Sequence, residues 1–435
     1  MTQPESHFRP TLLQSLSRWL YTGALTVALP LVFIHLLIRG ALTHGQQRFE
    51  RLGLVARPPK PGGYLFHCVS VGEVVAASCL IKRIMEREPE VVITVTTTTA
   101  TGSARVKAIF GDSVHHFYLP YDLPVCMSAM LRRVKPRAVL ITEVELWPNF
   151  IHTCWRRSIP VMVINARMTD RSAVRYGKIR GLFNPMLHKV AHVCAQGERD
   201  YINYKALGMP DDRLTLTNNI KFDQAVGNVT NAGRFLNLHK GTRPVLVAGS
   251  THDPEEQLLL EVLPALQQHS PNALLIIVPR HPERFDTVAR LLDQAGVSYC
   301  RSSVTEHIDD NCEVVLVDEM GKLHQAYEVA TFAFVGGSVA PRGGHNALEP
   351  ASASVPVIMG PHTYNNPVIC EYLQHTGALT IIEDAAQMAR VCTAWLNDPE
   401  QARQAGQAGR QVLQSNRGAL DATLSCFDAV MQGRR

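Results

Sequence analysis

At 435 residues the chain has room for two domains with full cores and an appendage. Hydrophobic content of 46% with 19% charged residues is globular and sets aside a low-complexity chain. The net charge of +5 is mild and comes without a dense basic stripe interleaved with aromatics. That argues against a nucleic-acid partner and permits attraction to an anionic membrane surface.

The first notable stretch is Trp19–Ile38, WLYTGALTVALPLVFIHLLI. It has about twenty residues, the length that crosses a hydrocarbon core. Arg18 and Arg39 bracket it, and Trp19 and Tyr21 suit the interface. Pro30 and His35 interrupt it, so a helix lying in the interface and a buried core helix stand beside a simple span. No small-residue cleavage site follows, against a signal peptide. Basic residues after the stretch (Arg39, Arg48, Arg51, Arg57, Lys60) outnumber those before it (Arg9, Arg18), a bias that leaves the remainder in the cytoplasm. We expect a membrane-anchor helix within residues 1–45.

From Gly62 short apolar runs alternate with helical patterns. The strand candidates are Tyr64–Cys68, Val91–Val95, Val114–Tyr118, Ala138–Thr142, Val161–Asn165 and His192–Cys194. Such alternation predicts a parallel sheet covered on both faces. The pattern lapses over Asn219–Lys240, the expected linker. A second series follows at Pro244–Ala248, Ala273–Val278, Val314–Val317, Thr331–Val335, Val355–Met359 and Ala378–Ile381, then helices from about Ala385. The expected fold is therefore α/β: two Rossmann-like domains, 46–225 and 226–435, with an interdomain cleft and the amino-terminal hydrophobic helix.

Polar clusters fall just after strands, where α/β folds place function. Arg342–Ser352, RGGHNALEPAS, is a glycine loop opening onto a short helix. Such a loop presents backbone N–H groups to a phosphate, and Glu349 one turn on suits ribose hydroxyls. Gly336-Gly337-Ser338 and Gly249-Ser250-Thr251-His252 offer further backbone donors. Arg280 in PRHPER suits a nucleotide phosphate, because its fork donates two hydrogen bonds. Lys322 is a further candidate cation. Glu73 in SVGE reads either as a helix cap or as a general base. In TEVELWPN, Glu143 and Glu145 point the same way if the stretch is extended. They then hold a metal, cap a helix or hydrogen-bond an acceptor hydroxyl, and no D-x-D supports the metal. The histidines show no H-E-x-x-H spacing and the ten cysteines no C-x-x-C, so we expect a reducing cytosol and neither a disulfide framework nor a zinc site.

Together HCVSVGEVVAA, TTTTATG, ITEVELWPN, NNIKFD, GSTH, VPRHPER, FVGGS and GGHNALEPAS resemble the 3-deoxy-D-manno-oct-2-ulosonic acid (Kdo) transferases of Gram-negative bacteria. The pieces stand in the family's order from about Leu65 to Pro361. The resemblance implies a GT-B fold, no cofactor or metal, and transfer of Kdo from CMP-Kdo to the lipid A precursor with inversion. It implies Glu73 as the base, and Ser70, Gly72, Thr97, Glu143 and Glu145 around the acceptor. For the donor it implies Lys221, Ser250, Arg280, His281, Lys322, Gly336, Gly337, Ser338, Gly343, Gly344, Asn346 and Glu349. It also implies inner membrane lipids as a partner, with the catalytic domains on the cytoplasmic side. Another GT-B enzyme using a UDP-sugar, an epimerase of that fold, or an inactive membrane-tethered sugar-nucleotide binder would share the glycine loop and Glu349. The first two leave VSVGE and TEVELWPN without an explanation, and an intact Glu73 argues against the inactive binder.

Overall fold

The computed structural model describes residues 8–38, 49–226 and 233–433. Arg39 and Arg48 of the basic flank and residues 227–232 of the expected linker lie outside the described residues. The chain divides into two compact units, Met1–Lys221 with Gly418–Arg435, and Phe222–Arg417.

The first unit is built on β1 (Tyr64–His67), β2 (Ile93–Thr97), β3 (His115–Tyr118), β4 (Ala138–Thr142), β5 (Val161–Ala166), β6 (His192–Ala195) and β7 (Leu214–Leu216). Their order is β3-β2-β1-β4-β5-β6-β7, all parallel. The central strands are buried along their whole length, which is why they read as continuous apolar runs. β1 lies between β2 and β4, so the winding reverses there. At such a switch point the carboxyl ends of neighbouring strands leave a crevice for ligands.

The second unit repeats the plan. A short hairpin, β8 (Arg234–Phe235) with β9 (Leu238–His239), stands inside the expected linker, held by the buried Phe235 and Leu238. Then come β10 (Val245–Thr251), β11 (Leu274–Pro279), β12 (Tyr299–Arg301), β13 (Val314–Leu316), β14 (Phe332–Val335), β15 (Val357–Met359) and β16 (Leu379–Ile381). The parallel order is β12-β13-β11-β10-β14-β15-β16, with the switch at β10 between β11 and β14. These are the two Rossmann-like sheets expected of a GT-B enzyme.

The carboxyl-terminal helices do not all stay with the second unit. Ala385–Asn397 adds Met388, Cys392 and Trp395 to its core. After Gly418, at φ +91°, the helix Ala419–Gln432 instead joins the first unit. It buries Leu424 and Phe427 beside Tyr64, whose ring meets Phe427 edge-on at 5.0 Å.

The amino-terminal helix runs from Leu12 to Ile38. No helix among the described residues is long and apolar enough to cross a membrane, so the spanning form of the expected anchor is not seen. Its first turns are instead docked by polar groups. Arg18 and Thr22 are buried, and both donate to Asn149 Oδ1, at 3.0 and 3.1 Å. Asn149 Nδ2 donates to the Asp122 carbonyl at 2.7 Å. The Asp122 carboxylate accepts from the N–H groups of Asn149 and Phe150 and from Tyr21 Oη. Burial pushes the Asp122 carboxyl up to about 6. The Asn of the TEVELWPN stretch is thus committed to holding the helix.

Replacing Asn149 by Leu keeps the volume but strands Arg18, Thr22 and Asp122. Urea denaturation should show a loss of about 2–3 kcal/mol, the cost of buried polar groups left unpaired. A loss below about 0.5 kcal/mol, the scatter of ordinary surface changes, would mean the network does not hold the helix.

Candidate functional site

The segment after β1 enters the helix Val71–Arg87 through Ser70, whose backbone is extended and whose Oγ accepts from the Glu73 N–H at 3.3 Å. Glu73 answers: Oε1 accepts from Ser70 Oγ at 2.9 Å, and Oε2 from the Val69 N–H at 2.8 Å. This is a capping box, reaching one residue further back than usual. Gly72 beside it is exposed, and a Cβ there would meet only Ser70 Oγ, at 3.9 Å. Glu73 is only 7% exposed. Burial pushes its carboxyl up to about 7, the Glu143 and Glu145 charges add to that, and Val69 and Ser70 oppose it. A carboxyl balanced near neutrality, with lone pairs beyond its two bonds, can take a proton from a hydroxyl.

Glu143 and Glu145 follow β4, the other strand of the switch. The stretch is a turn and not extended as expected, because Glu143 takes a left-handed φ of +60° while its N–H bonds to the Ile164 carbonyl. Both carboxylates still press on Glu73 electrostatically. Burial raises Glu145. Lys221, expected at the donor, closes the first unit, with its Nζ 3.9 Å from Glu143 Oε1. Thr97, expected at the acceptor, is fully buried and paired with His116 Nε2 at 3.1 Å, so its hydroxyl is a sheet contact.

At the second switch point the largest departure is Glu255, whose side chain is fully buried at the start of the helix Glu255–His269. Its carboxylate accepts from the backbone N–H groups of Gly337, Ser338, Val339 and Ala340 and from that of His252, at 2.8–3.1 Å. The Gly336 N–H is taken by the Gly249 carbonyl. The donors expected to face a phosphate at Gly336, Gly337 and Ser338 are therefore occupied within the protein. A Cβ at Gly336 would lie 2.4 Å from the Ser250 carbonyl oxygen and 2.8 Å from Glu255 Oε2, so only glycine admits this packing. Ser338 Oγ donates to the Val335 carbonyl and accepts from the Gly360 N–H. Ser250 sits at φ +56° in the bulge that ends β10.

Around this plug stands a ring of nitrogen groups. His252 Nε2 and His345 Nε2 are 2.8 Å apart with stacked rings, and His281 meets His252 edge-on at 5.3 Å. Burial and nearby cations hold His252 down to about 4 and His345 to about 3, so at neutral pH one neutral ring donates to the other. Arg280 follows β11 with an exposed side chain, close enough to lower His345 and Glu349. His281 is 3.8 Å from Glu283, and Lys322 is 4.0 Å from Glu319 at the start of the helix Leu323–Val329. Gly343 and Gly344 have φ of +88° and +70°. Asn365 braces their loop by donating to the Arg342 and Gly344 carbonyls. Asn346 donates to Glu349 Oε1 at 3.3 Å and so aims it. Burial raises the Glu349 carboxyl, against His324, Asn346 and Arg280.

Glu255 and His345 do not stand out as site residues in the sequence, and His252, expected to offer a backbone donor, instead gives its N–H to Glu255 and its ring to His345. The signal was present: H-D-P-E after β10 repeats the spacing of S-V-G-E after β1, a polar residue with a glutamate three positions later at a helix start.

Glu255→Gln turns one acceptor oxygen into a donor facing backbone donors. Losing hydrogen bonds to a charge costs on the order of 1.5–3 kcal/mol. Urea denaturation should report at least that, with faster amide exchange at Gly337–Ala340. Unchanged exchange there would mean the carboxylate does not hold the loop.

Comparison with known proteins agrees with this architecture. The profile described as "3-Deoxy-D-manno-octulosonic-acid transferase (kdotransferase)" matches residues 46–224, and that of "Glycosyl transferases group 1" matches 255–412. A 3-deoxy-D-manno-octulosonic acid transferase of Haemophilus influenzae is 41% identical, covering 95% of this chain and 99% of the relative. One from Bordetella pertussis is 31% identical over the same shares. Among solved structures, UDP-GlcNAc 2-epimerase from Neisseria meningitidis bound to UDP-GlcNAc superposes with a TM-score of 0.56 at 14% identity, over 84% of this chain and 99% of that one. At that identity it shows the fold alone. The chain is a glycosyltransferase and belongs to the 3-deoxy-D-manno-octulosonic acid (Kdo) transferase family.

Proposed function

We propose that this Kdo transferase takes the sugar from CMP-Kdo and joins it to a hydroxyl of the lipid A precursor, inverting the anomeric centre without a catalytic metal. The observation that carries the reading is Glu73, a buried carboxyl at about 7 on the switch point of the first sheet. In the proposed step Glu73 takes the acceptor hydroxyl's proton as its oxygen bonds to the anomeric carbon. The bond to the CMP phosphate breaks on the opposite face. Ser70, Gly72, Glu143 and Glu145 surround the acceptor. Arg280, His281 and the neutral His252–His345 pair stabilise the departing monophosphate, a role that fixed donors can fill without a cation. Glu349, aimed by Asn346, receives the ribose hydroxyls.

Glu73→Gln keeps the reach but not the proton acceptor. Its turnover should fall by about 10²–10⁴-fold, the usual contribution of a general base. The base works only when ionised, so wild-type kcat/KM should rise as pH increases through about 7. The variant should lack that limb. Near-normal turnover, or an unchanged limb, would remove Glu73 from the role. Activity should also persist in EDTA; a loss that Mg²⁺ alone restores would promote Glu143 and Glu145 to metal ligands.

The donor assignment is tested by titration. CMP should bind more tightly than UDP, and Glu349→Ala should lose about 1.5–3 kcal/mol of CMP affinity, a charge-assisted hydrogen bond. Arg280→Lys should also weaken CMP, since a point charge replaces a planar fork. Unaltered affinity in both variants would misplace the nucleotide.

We further propose that the enzyme works at the cytoplasmic face of the inner membrane, with its first helix in the plane of the bilayer. Support comes from the exposed Leu12, Leu16, Trp19 and Leu20 on that helix. The helix Asp170–Lys178 adds exposed Val174 with Arg171 and Arg175. Apolar groups rimmed by cations suit an anionic interface. The protein should float with anionic vesicles, less so at high salt. The double change Leu16→Glu and Trp19→Glu should abolish flotation; flotation of the double variant would refute this surface.

A further inference from the structure

A cluster of soft ligands lies on the far half of the first sheet, on strands other than those of the switch point. His192 and Cys194 are two residues apart on β6, so their side chains share one face. Thr215 on β7 is the register partner of Cys194 and joins that face, with its Oγ1 2.9 Å from His192 Nε2. Cys426 comes down on them from the returning helix Ala419–Gln432. One ligand atom each from His192, Cys194 and Cys426 lies within 4.8 Å of the others, the only such convergence of ligand atoms among the described residues. One turn earlier on the same helix, the Thr423 hydroxyl is buried and has no partner among the described residues.

We propose that His192, Cys194 and Cys426 bind one thiophilic divalent ion of the zinc class, which fastens the last helix to the first sheet. Two thiolates and an imidazole are a zinc donor set, and slight closure brings them to tetrahedral spacing with one position left for water. On binding, the thiols release their protons to solvent and the imidazole enters neutral. Thr215 hydrogen-bonds the imidazole and so positions it. The ion has no part in sugar transfer: it ties the carboxyl-terminal segment, which has left the second unit, back to the unit in which the chain began. No local spacing announces the site, because Cys194 and Cys426 meet only through the fold.

The test uses the full chain, stripped with a chelator and titrated with Co²⁺ as a coloured probe. We expect a near-ultraviolet thiolate–cobalt band that saturates at one ion per chain and is displaced by Zn²⁺. Zn²⁺ should also raise the melting temperature. Cys426→Ser and His192→Gln, both at partly exposed positions, should lose the band and the thermal shift. Thr215→Val should weaken binding by about 10–100-fold, the usual effect of losing a partner of a metal-bound histidine. Cys312→Ser should keep the band, which excludes the separate Cys300–Cys312 pair, whose sulfurs are 3.5 Å apart. The proposal is overturned if no thiolate–cobalt band forms, if the band survives Cys426→Ser, or if thiol counting shows Cys194 and Cys426 joined as a disulfide.

Discussion

Burying the Glu255 carboxylate under the glycine loop is the constraint on which the second unit's site depends. A lone charge in a protein interior is unfavourable by several kcal/mol unless donors replace its water. Here five backbone N–H groups do so, one from His252 and four from Gly337–Ala340, and for those four to converge the chain must follow one path after Gly336. That path ends β14, accounts for glycine at Gly336, and leads into the loop carrying His345, Asn346 and Glu349. The loop's backbone donors are taken up within the protein, which is why the proposed donor site is built from side chains: Arg280, the paired histidines and Glu349.

The first unit uses the same device to a different end. Glu73 also stands at the start of a helix after a switch-point strand, tied back to a backbone N–H. It accepts two hydrogen bonds where Glu255 accepts five, and two other carboxylates press on it. A saturated carboxylate holds structure, whereas an under-satisfied one near neutrality can exchange a proton. What separates the Glu255 scaffold from the proposed base Glu73 is the donor count and the neighbouring charge, not residue type or position.

Most of the sheet strands were readable in advance because parallel strands covered on both faces must be apolar throughout. Leu214–Leu216 and Tyr299–Arg301 escaped notice as short pieces of mixed polarity beside other segments. The polar clusters after β1, β4, β10, β11 and β14 were also readable, since topology places them at strand ends. What each side chain does there was not. Thr97 belongs to a run of threonines that reads as a loop, yet it is the last residue of β2 and faces His116 inside the sheet. Lys221 comes one residue before the division between the units, and that decides which carboxylate it meets. Asn149 sits in the most specific motif and serves the amino-terminal helix, a partner 127 positions from Thr22 in sequence. The return of the last helix rests on Leu424 and Phe427, whose spacing marks an apolar face without saying which core it enters.

The central claim is that these two switch-point sites serve a single transfer, from a cytidine monophosphate sugar to a lipid. Its most direct measurement is mass spectrometry of the lipid after the full-length protein is incubated in EDTA with CMP-Kdo and tetraacylated lipid A precursor. The account predicts a lipid heavier by whole Kdo residues, with CMP released in equal amount. It is contradicted if the lipid is unchanged while CMP-Kdo is merely bound or hydrolysed, or if the lipid gains mass only when a UDP-sugar replaces CMP-Kdo.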